Sequence, residues 1–404
     1  MKIFKYFLII IFSLSYLLSC TIGVGRDFDG SVVLWKNRDI PFHKEQKTAL
    51  EYVEDDISYL QIVSSDSSSP YIGFNKEGFG IANSVVQIDD EVNCASQGDR
   101  SSITDEYLLI REALGTCEDI DCFQDLIDSL VITSDNDLFC EAFNDENSCL
   151  NPENNNKCYW VDDGENSDCD PGCFANHIQS NFAVIDSSGQ GAIFEVNTAV
   201  DSIGDIYASE FLSDTTYSAL YRSNHYKELT NPPLYSYLDS YDCNSLSDDL
   251  MRGNARRWCS SDEYFNALTN NDSSIIEYLI KSDPMLNENR GALLRSLSRS
   301  NPNDSGYVFY DLPFHEQAAY DCGKGRPSGY VWALNSIARR KTTSSTVIKS
   351  GTDTLDESFV LVALGNPLFS PYIPIKISDI DSITISSYQN EFDSITGNSQ
   401  ILSN

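Results

Sequence analysis

The hydrophobic positions of the chain form short β-rich runs in its first and last parts, with helical patterns between them. Three pairs of runs predict antiparallel hairpins, because a turn containing Gly with Asp or Asn, or with Ser, separates each pair. The paired runs are 21–25 with 31–36, 71–74 with 79–86, and 181–186 with 192–196. Two further strand-like runs, 344–349 and 359–363, place predicted strands near the end of the chain as well.

Helical spacing appears in the intervening segments. Residues 102–114 predict a helix, because Ser102 with Asp105 resembles a capping box and Gly115 follows as a stop signal. Residues 120–130 predict a partner helix, and weaker helical patterns cover about 262–268 and 274–281. Strands at both ends with helices between them favour an α+β layered domain.

The first twenty residues have the pattern of a targeting segment. Lys2 and Lys5 form a basic start, and the apolar run 7–18 is too short to span a bilayer comfortably. We therefore expect 1–19 to be a signal peptide or propeptide. The mature chain, 20–404, is expected to be exported to the periplasm, the medium or the cell surface, with no transmembrane span.

The charge balance limits the kinds of partner that the chain is expected to bind. Its 27 Lys and Arg residues stand against 61 Asp and Glu residues, which gives a formal net charge of −34. So acidic a surface repels phosphate backbones and anionic lipid, which argues against nucleic-acid binding and peripheral membrane attachment. A soluble, self-repelling surface is its simplest meaning.

Residues 139–173 differ in composition from the rest of the chain. Five of the 12 cysteines lie there among Asn, Asp and Glu, with few apolar side chains to build a core. We expect an insertion held by disulfides, which suits an oxidising compartment. Zinc is less favoured because the paired Cys-x-x-Cys spacing is missing, and a calcium-assisted loop remains an alternative. We expect no cofactor or metal in the functional site.

Cys20 is a candidate catalytic nucleophile if processing makes it the first residue of the mature chain. Its thiol would lie beside a free α-amine with an ordinary pKa near 8, so one residue would supply nucleophile and base. A first hairpin centred near Phe28 predicts Cys20 opposite Lys36, with Asp39 at the same sheet end. Asp39 would hold the amine, and Lys36 would be a cation near the thiolate or substrate. The alternatives are that Asp39 is an ordinary turn residue and that Lys36 is an exposed charge at the end of the hairpin.

The residues around Cys20 resemble a known group of enzymes. Cys20-Thr21 followed by the element 36–39 (Lys-Asn-Arg-Asp) is similar to the start of choloylglycine hydrolases, isopenicillin-N acyltransferases and related dipeptidases. Segments 73–81, 186–195, 222–226 and 365–367 follow in the same order as in those families. The resemblance covers most of the mature chain outside the cysteine-rich insertion.

This resemblance implies an αββα four-layer sandwich of the N-terminal-nucleophile (Ntn) hydrolase type. It also implies hydrolysis of a linear amide, either an acyl-amide or a short peptide, through a thioester on Cys20. Acyl transfer to an amine remains open. The implied partner is a small amide or short-peptide substrate, and the oligomeric state is not predicted.

The resemblance also implies roles for individual residues. Asn224 would donate a hydrogen bond to the oxyanion, and Asn83 is a possible second donor. Arg257 would lie near the thiolate, with Arg256 as the competing choice. Lys36 departs from the Arg of bile-salt hydrolases, and a lysine cannot form the same bidentate fork. That departure weakens a bile-salt assignment more than it weakens the fold.

A rival hypothesis concerns the same cysteine. The sequence Leu17-Leu18-Ser19-Cys20 also resembles a lipobox, in which the sulfur would carry lipid and could not attack an amide. The chain would then be a surface lipoprotein with a binding role. Thr21 directly after the cysteine, and the lack of a Ser/Gly-rich tether, favour catalysis. The odd number of cysteines left once Cys20 is set aside counts slightly against it.

Overall fold

Two antiparallel sheets, stacked face to face, carry most of the structure. The structure is a computed structural model, and it describes residues 20–26, 30–39, 48–64, 70–86, 105–129, 158–161, 172–175, 178–198, 207–214, 218–222, 229, 342–350, 358–364 and 373–379. The first sheet has six strands in the order β12-β1-β2-β13-β14-β15, and the second has seven in the order β11-β10-β9-β6-β5-β4-β3. In chain order the strands are β1 Thr21–Arg26, β2 Val32–Asp39, β3 Thr48–Val53, β4 Tyr59–Ser64, β5 Pro70–Asn75, β6 Gly80–Val85, β7 Cys158–Val161, β8 Gly172–Ala175, β9 Gln179–Ile185, β10 Gly191–Asn197, β11 Tyr207–Phe211, β12 Ala219–Arg222, β13 Thr342–Lys349, β14 Phe359–Leu364 and β15 Ile373–Lys376.

The space between the sheets is filled by aliphatic side chains from both. Ile22 and Leu34 contribute from the six-stranded sheet, and Ile72 and Ala183 from the seven-stranded sheet, each with at most 1% of its surface exposed. Burying this apolar area is the main favourable term that holds the two sheets together.

Two helices of the described chain cover the outer face of the seven-stranded sheet. They are α1, Asp105–Thr116, and α2, Ile120–Asp128, so both predicted helices are confirmed within about three residues at each end. Asp119 caps α2 by accepting a hydrogen bond from the Cys122 backbone N–H at 2.8 Å. Phe123 packs its ring against a set of three aromatic rings from the sheet, Phe79, Phe182 and Phe194.

The second and third predicted hairpins are confirmed and share one turn design. Asn75 uses its side-chain oxygen to accept the backbone N–H groups two and four residues later, at 3.1 and 2.9 Å. Asp186 does the same at 2.9 and 3.1 Å. The residue between those two donors is a glycine with positive φ in both turns, Gly78 at 99° and Gly189 at 80°.

The first hairpin forms, but its predicted register is wrong. Lys36 pairs with Ile22, and Thr21 pairs with Asn37. Cys20 therefore does not lie opposite Lys36, because the strands pair one residue further round the turn than a centre near Phe28 implies. The physical reason lies at Gly30, whose φ of 88° turns the chain back at a position that a non-glycine residue adopts only with strain.

The described layers agree in part with the predicted four. The chain is α+β, with two stacked sheets and one helical layer. The helical patterns at 262–268 and 274–281 lie outside the described residues, so the fourth layer stays a prediction. Of the predicted 139–173 insertion, the structure describes β7 and part of β8, which pair as a separate ribbon with Trp160 opposite Cys173. Its disulfides stay a prediction.

Two further features concern the described chain as a whole. The sulfurs of Cys117 and Cys122 form a disulfide that links the end of α1 to the first turn of α2, a bond that the sequence pattern did not predict. Among the residues described, no helix is long and apolar enough to cross a membrane.

Gly23 is expected to tolerate no larger side chain. It lies opposite Trp35, and a Cβ atom there would overlap the Trp35 ring and come within 2.6 Å of the Leu220 carbonyl oxygen. We expect Gly23→Ala to lower the free energy of unfolding by about 2–3 kcal/mol, because a backbone oxygen in a paired strand cannot move aside. Urea unfolding measures this. Gly191→Ala is the control. The atom nearest to its new Cβ would be Val32 Cγ1 at 3.1 Å, so this change should lower the free energy of unfolding by less.

Candidate active site

Cys20 lies immediately before β1, where the six-stranded sheet meets its neighbour. Its side chain is half-exposed, and its sulfur forms no disulfide within the described residues. The charge of Cys20 acts on Lys36, which places the two residues in one electrostatic environment. Cys117 and Cys122, by contrast, are joined in a disulfide.

Lys36 lies in the interior, between the two sheets, with only 3% of its surface exposed. Its Nζ donates to the Tyr71 carbonyl oxygen at 3.1 Å, to the Asn83 side-chain oxygen at 2.7 Å and to the Asn83 carbonyl oxygen. An ammonium group has three N–H donors, and all three have acceptors here. The predicted cation is therefore present, but its hydrogen bonds join β2 to strands β5 and β6.

The pKa of Lys36 is lowered from its ordinary value to about 8. Burial is the main cause, since it disfavours the charged form, and the Arg38 guanidinium lowers the pKa further. Cys20 and Glu106 act in the opposite direction. The result is a lysine that is mostly charged at neutral pH but loses its proton within a range at which enzymes are commonly assayed.

Asn83 is buried in β6, with 1% of its surface exposed. Its Oδ1 accepts from Lys36, which fixes the orientation of the amide and turns Nδ2 away from the lysine. That Nδ2 atom is buried and has no hydrogen-bond partner among the described residues. A buried donor with no acceptor is unfavourable in a resting protein, and such atoms are frequent where a ligand or reacting group supplies the acceptor.

Tyr71 forms one wall beside Lys36. The Arg38 guanidinium carbon lies 4.2 Å from the centre of the Tyr71 ring, and the Lys36 Nζ lies 5.1 Å from it. The Tyr71 hydroxyl is 3.0 Å from the Ser344 Oγ, and Ser344 is the strand partner of Arg38. The sequence motifs did not identify Arg38, Tyr71 and Ser344 as site residues, although Arg38 lies inside the element 36–39.

Asp39 ends β2 and is buried, with 2% of its surface exposed, opposite Thr342 of β13. A buried aspartate at the end of this strand is consistent with its predicted place at the Cys20 end of the sheet. Its role as the group that orients the Cys20 amine stays a prediction.

A buried ion-pair network lies at the neighbouring edge of β1. Arg222, at the end of β12, pairs with Ile22, and its Nε donates to the Glu195 Oε1 at 2.5 Å. Its Nη2 donates to Glu210 at 2.8 Å. The other oxygen of Glu195 accepts the backbone N–H of Leu229 at 2.7 Å. Burial works to lower the pKa of Arg222, but the two carboxylates outweigh it and raise that pKa.

One carboxylate, that of Glu195, therefore holds Arg222 and Leu229, the two described residues that flank the segment 223–228. Asn224, the predicted oxyanion donor, belongs to that segment and lies outside the described residues, as do Arg256 and Arg257. The predicted residues that the structure brings together are Cys20, Lys36 and Asn83. Among the described residues, no group of three or more His, Cys, Asp or Glu side chains could hold a metal ion.

The arrangement has a definite chemical capacity. A half-exposed thiol interacts electrostatically with Lys36, and Lys36 orients a buried amide donor that has no hydrogen-bond partner among the described residues. A nucleophile and a pre-oriented donor are the two groups that an attack on a carbonyl requires, because negative charge develops on the carbonyl oxygen.

The chain was compared with known proteins. No protein-family model matches it, and no curated protein matches it. Solved structures that match include two variants of conjugated bile acid hydrolase from Clostridium perfringens and an N-acylethanolamine-hydrolyzing acid amidase ortholog from Caenorhabditis elegans. Conjugated bile acid hydrolase is of the choloylglycine hydrolase type that the sequence motifs resemble.

The structural likeness is distant in each case. The first hydrolase variant has a TM-score of 0.28 at 12% identity, with 50% of this chain and 52% of that chain covered, about half its length. The amidase has a TM-score of 0.30 at 12% identity, covering 52% and 71%. The second hydrolase variant has 0.39 at 11% identity, covering 90% and 94%. Neither fold nor activity follows from these likenesses alone.

Proposed function

We propose that the chain is an exported cysteine amidase that hydrolyses a linear amide, either an acyl-amide or a short peptide, through a thioester on Cys20. The observation that carries this proposal is the buried Nδ2 of Asn83, which Lys36 orients and which has no hydrogen-bond partner. An unused, immobilised donor, held by a lysine on which Cys20 acts electrostatically, suits a carbonyl oxygen that gains charge during the reaction.

The first half of the reaction forms the acyl-enzyme. Once residues 1–19 are removed, the α-amine of Cys20 accepts the thiol proton, and the thiolate attacks the amide carbonyl carbon. Asn83 Nδ2 donates to the resulting oxyanion. The carbon–nitrogen bond then breaks, the leaving amine takes the proton from the α-ammonium group, and a thioester remains on Cys20.

The second half releases the acyl group. The α-amine of Cys20 takes a proton from water, whose oxygen attacks the thioester carbonyl carbon. The carbon–sulfur bond breaks, the thiol regains its proton, and a carboxylic acid leaves. If an amine replaced water as the acceptor, the same intermediate would give acyl transfer.

Three further residues complete the proposed site. Asp39 holds the α-ammonium group of Cys20 through a charge-assisted hydrogen bond. Asn224 is the second donor to the oxyanion, and Arg257 lies near the thiolate. Asn224 follows Arg222 by two residues in the sequence, and Arg222 pairs with Ile22, which follows Cys20 by two. If the antiparallel pairing of β1 with β12 continued by two residues, Asn224 would lie opposite Cys20, and this supports the role of Asn224.

A surface lipoprotein is the second candidate, favoured by the sequence Leu17-Leu18-Ser19-Cys20. Mass spectrometry of the mature amino terminus separates the two candidates, because a catalytic cysteine needs both its amine and its sulfur unmodified. The expected result is a chain that begins at an unmodified Cys20. A diacylglyceryl group on the sulfur would overturn the amidase proposal and leave a binding role.

A further inference from the structure

We propose that Lys36 acts on the reaction only through Asn83, as a positioning residue that fixes the asparagine amide with its Nδ2 as donor. The inference rests on the proposed function, since it assigns a cause to the orientation of the oxyanion donor. It differs from the role that the sequence predicted for Lys36, that of a cation at the thiolate or the substrate.

The hydrogen bonds of Lys36 leave no donor for a substrate. Its three N–H groups point at the Tyr71 carbonyl oxygen and at two oxygens of Asn83, and the side chain is 3% exposed. A substrate oxygen could accept a hydrogen bond from Lys36 only by displacing one of these buried acceptors. The displaced acceptor would then lose its hydrogen bond from the lysine. Lys36 is thus committed to the protein.

The same contacts explain why the Asn83 amide cannot turn over. Lys36 grips Asn83 by its carbonyl oxygen and by its Oδ1, so backbone and side chain are held by one ammonium group. A flipped amide would present its NH₂ group to an ammonium group that has no acceptor, and it would leave one lysine donor unpaired. Only one orientation is compatible with the charged lysine, and it is the one in which Nδ2 is unused.

A double-mutant cycle on kcat tests the proposal. Asn83→Ala is expected to lower kcat by about 10²-fold, the usual effect of removing one oxyanion donor. Lys36→Met, of similar length but without charge, should lower kcat at most as much and leave KM nearly unchanged. The double variant should match Asn83→Ala, because without the amide Lys36 has nothing left to position. Losses that multiply in the double variant would show that Lys36 acts directly and would overturn the inference.

A pH profile gives an independent test that needs no lysine variant. Above a pH of about 8 Lys36 becomes neutral, its third donor is replaced by a lone pair, and the Asn83 amide is free to turn. We expect kcat to fall by about 10²-fold through this range in the wild type and to show no such fall in Asn83→Ala. The α-amine of Cys20 affects both proteins alike. A fall of equal size in Asn83→Ala would overturn the inference.

The surroundings of Lys36 bear on that profile. The charged groups that act on Lys36 are Cys20 ahead of β1, Arg38 on β2 and Glu106 on α1, and the Tyr71 ring on β5 lies beside its Nζ. The strands packed against β2 also carry Arg26 on β1, Lys349 on β13 and Glu195 on β10, which is bound to Arg222, and Asp39 ends β2 itself.

The result for Cys20→Ala separates this inference from the proposed function. If Cys20→Ala keeps its turnover, the amidase mechanism fails, whatever the cycle shows. If Cys20→Ala is inactive and the losses in the cycle multiply, only the positioning role of Lys36 fails. If Lys36→Met does not fold, which a thermal melt reveals, the pH profile decides between the two outcomes.

Discussion

Cys20→Ala is expected to lower kcat by about 10⁴-fold or more, because the nucleophile of a covalent mechanism has no substitute. Cys20 is half-exposed and forms no disulfide within the described residues, so alanine removes a sulfur without leaving a large cavity or a broken bond. The folded state should therefore survive the change. Turnover of a panel of acyl-amides and dipeptides measures the effect, and circular dichroism confirms the fold.

The matched control removes cysteine sulfur elsewhere. Replacing both Cys117 and Cys122 with alanine deletes the disulfide between α1 and α2, on the outer face of the seven-stranded sheet. This double variant should melt at a lower temperature but keep its kcat when assayed below that temperature. Full turnover by Cys20→Ala, with the fold intact, would contradict the proposed mechanism.

Glu195→Gln is expected to lower the free energy of unfolding by about 3–5 kcal/mol, because it leaves a buried guanidinium group short of a carboxylate. Arg222 is 2% exposed and Glu195 1% exposed, so water does not replace the lost charge. Glu210 remains as a partner at 2.8 Å, but its side chain is 31% exposed and screened by solvent. Urea unfolding measures the loss.

Two comparisons test the cause of that loss. Asp214→Asn removes an ion pair with Arg26 in which the aspartate is fully exposed, and it should leave stability unchanged within error. Glu195→Gln combined with Arg222→Met removes both charges and should cost less than the sum of the two single changes. If the costs simply add, the pair is not coupled, and the buried-charge explanation is wrong.

Local signals correctly predicted two turns of the seven-stranded sheet. The Asn75 and Asp186 turns are each built from residues within four positions of each other, with a glycine at the one place that needs positive φ. Such turns are determined by the sequence nearby. The same holds for α2, whose cap Asp119 adjoins its first residue.

The register of the first hairpin, in contrast, was predicted incorrectly. Moving the turn by one residue changes the partner of every residue along both strands. The sequence offers three glycines in this hairpin, Gly23, Gly25 and Gly30, and the structure places positive φ at Gly30. The pairing of Lys36 with Ile22 follows from that choice, which a symmetric count about Phe28 missed.

The contacts of the site could not be predicted from neighbouring residues. Lys36 meets Tyr71 and Asn83, which follow it by 35 and 47 residues, and their approach depends on how one whole sheet packs on the other. The side-chain types at the site were foreseeable from the motifs. Which lysine donor meets which oxygen was not, because that is decided by the spacing between the sheets.

Strands β3 and β4 went unpredicted for a different reason. They lie at one edge of the seven-stranded sheet, and polar side chains interrupt their apolar pattern, among them Glu51 and Gln61, which hydrogen-bond to each other at 2.7 Å. Strand β4 lies between β3 and β5 and is buried, and Gln61 interrupts its apolar run. Only β3 is the edge strand, and an edge strand needs fewer apolar positions, so its alternation is weak. Strand β11, at the other edge, is partly exposed along its length for the same reason.

The grip of Glu195 on Arg222 and Leu229 has a consequence for how this protein can change. Six residues separate Arg222 from Leu229 in the sequence, and both hydrogen-bond to the carboxylate of Glu195, so β10 fixes the two positions that flank 223–228. The cost of bringing the two ends together is met by the folded body, and it grows only slowly with length. We therefore expect substitutions at 223–228 to leave the contacts of Glu195 with Arg222 and Leu229 unchanged.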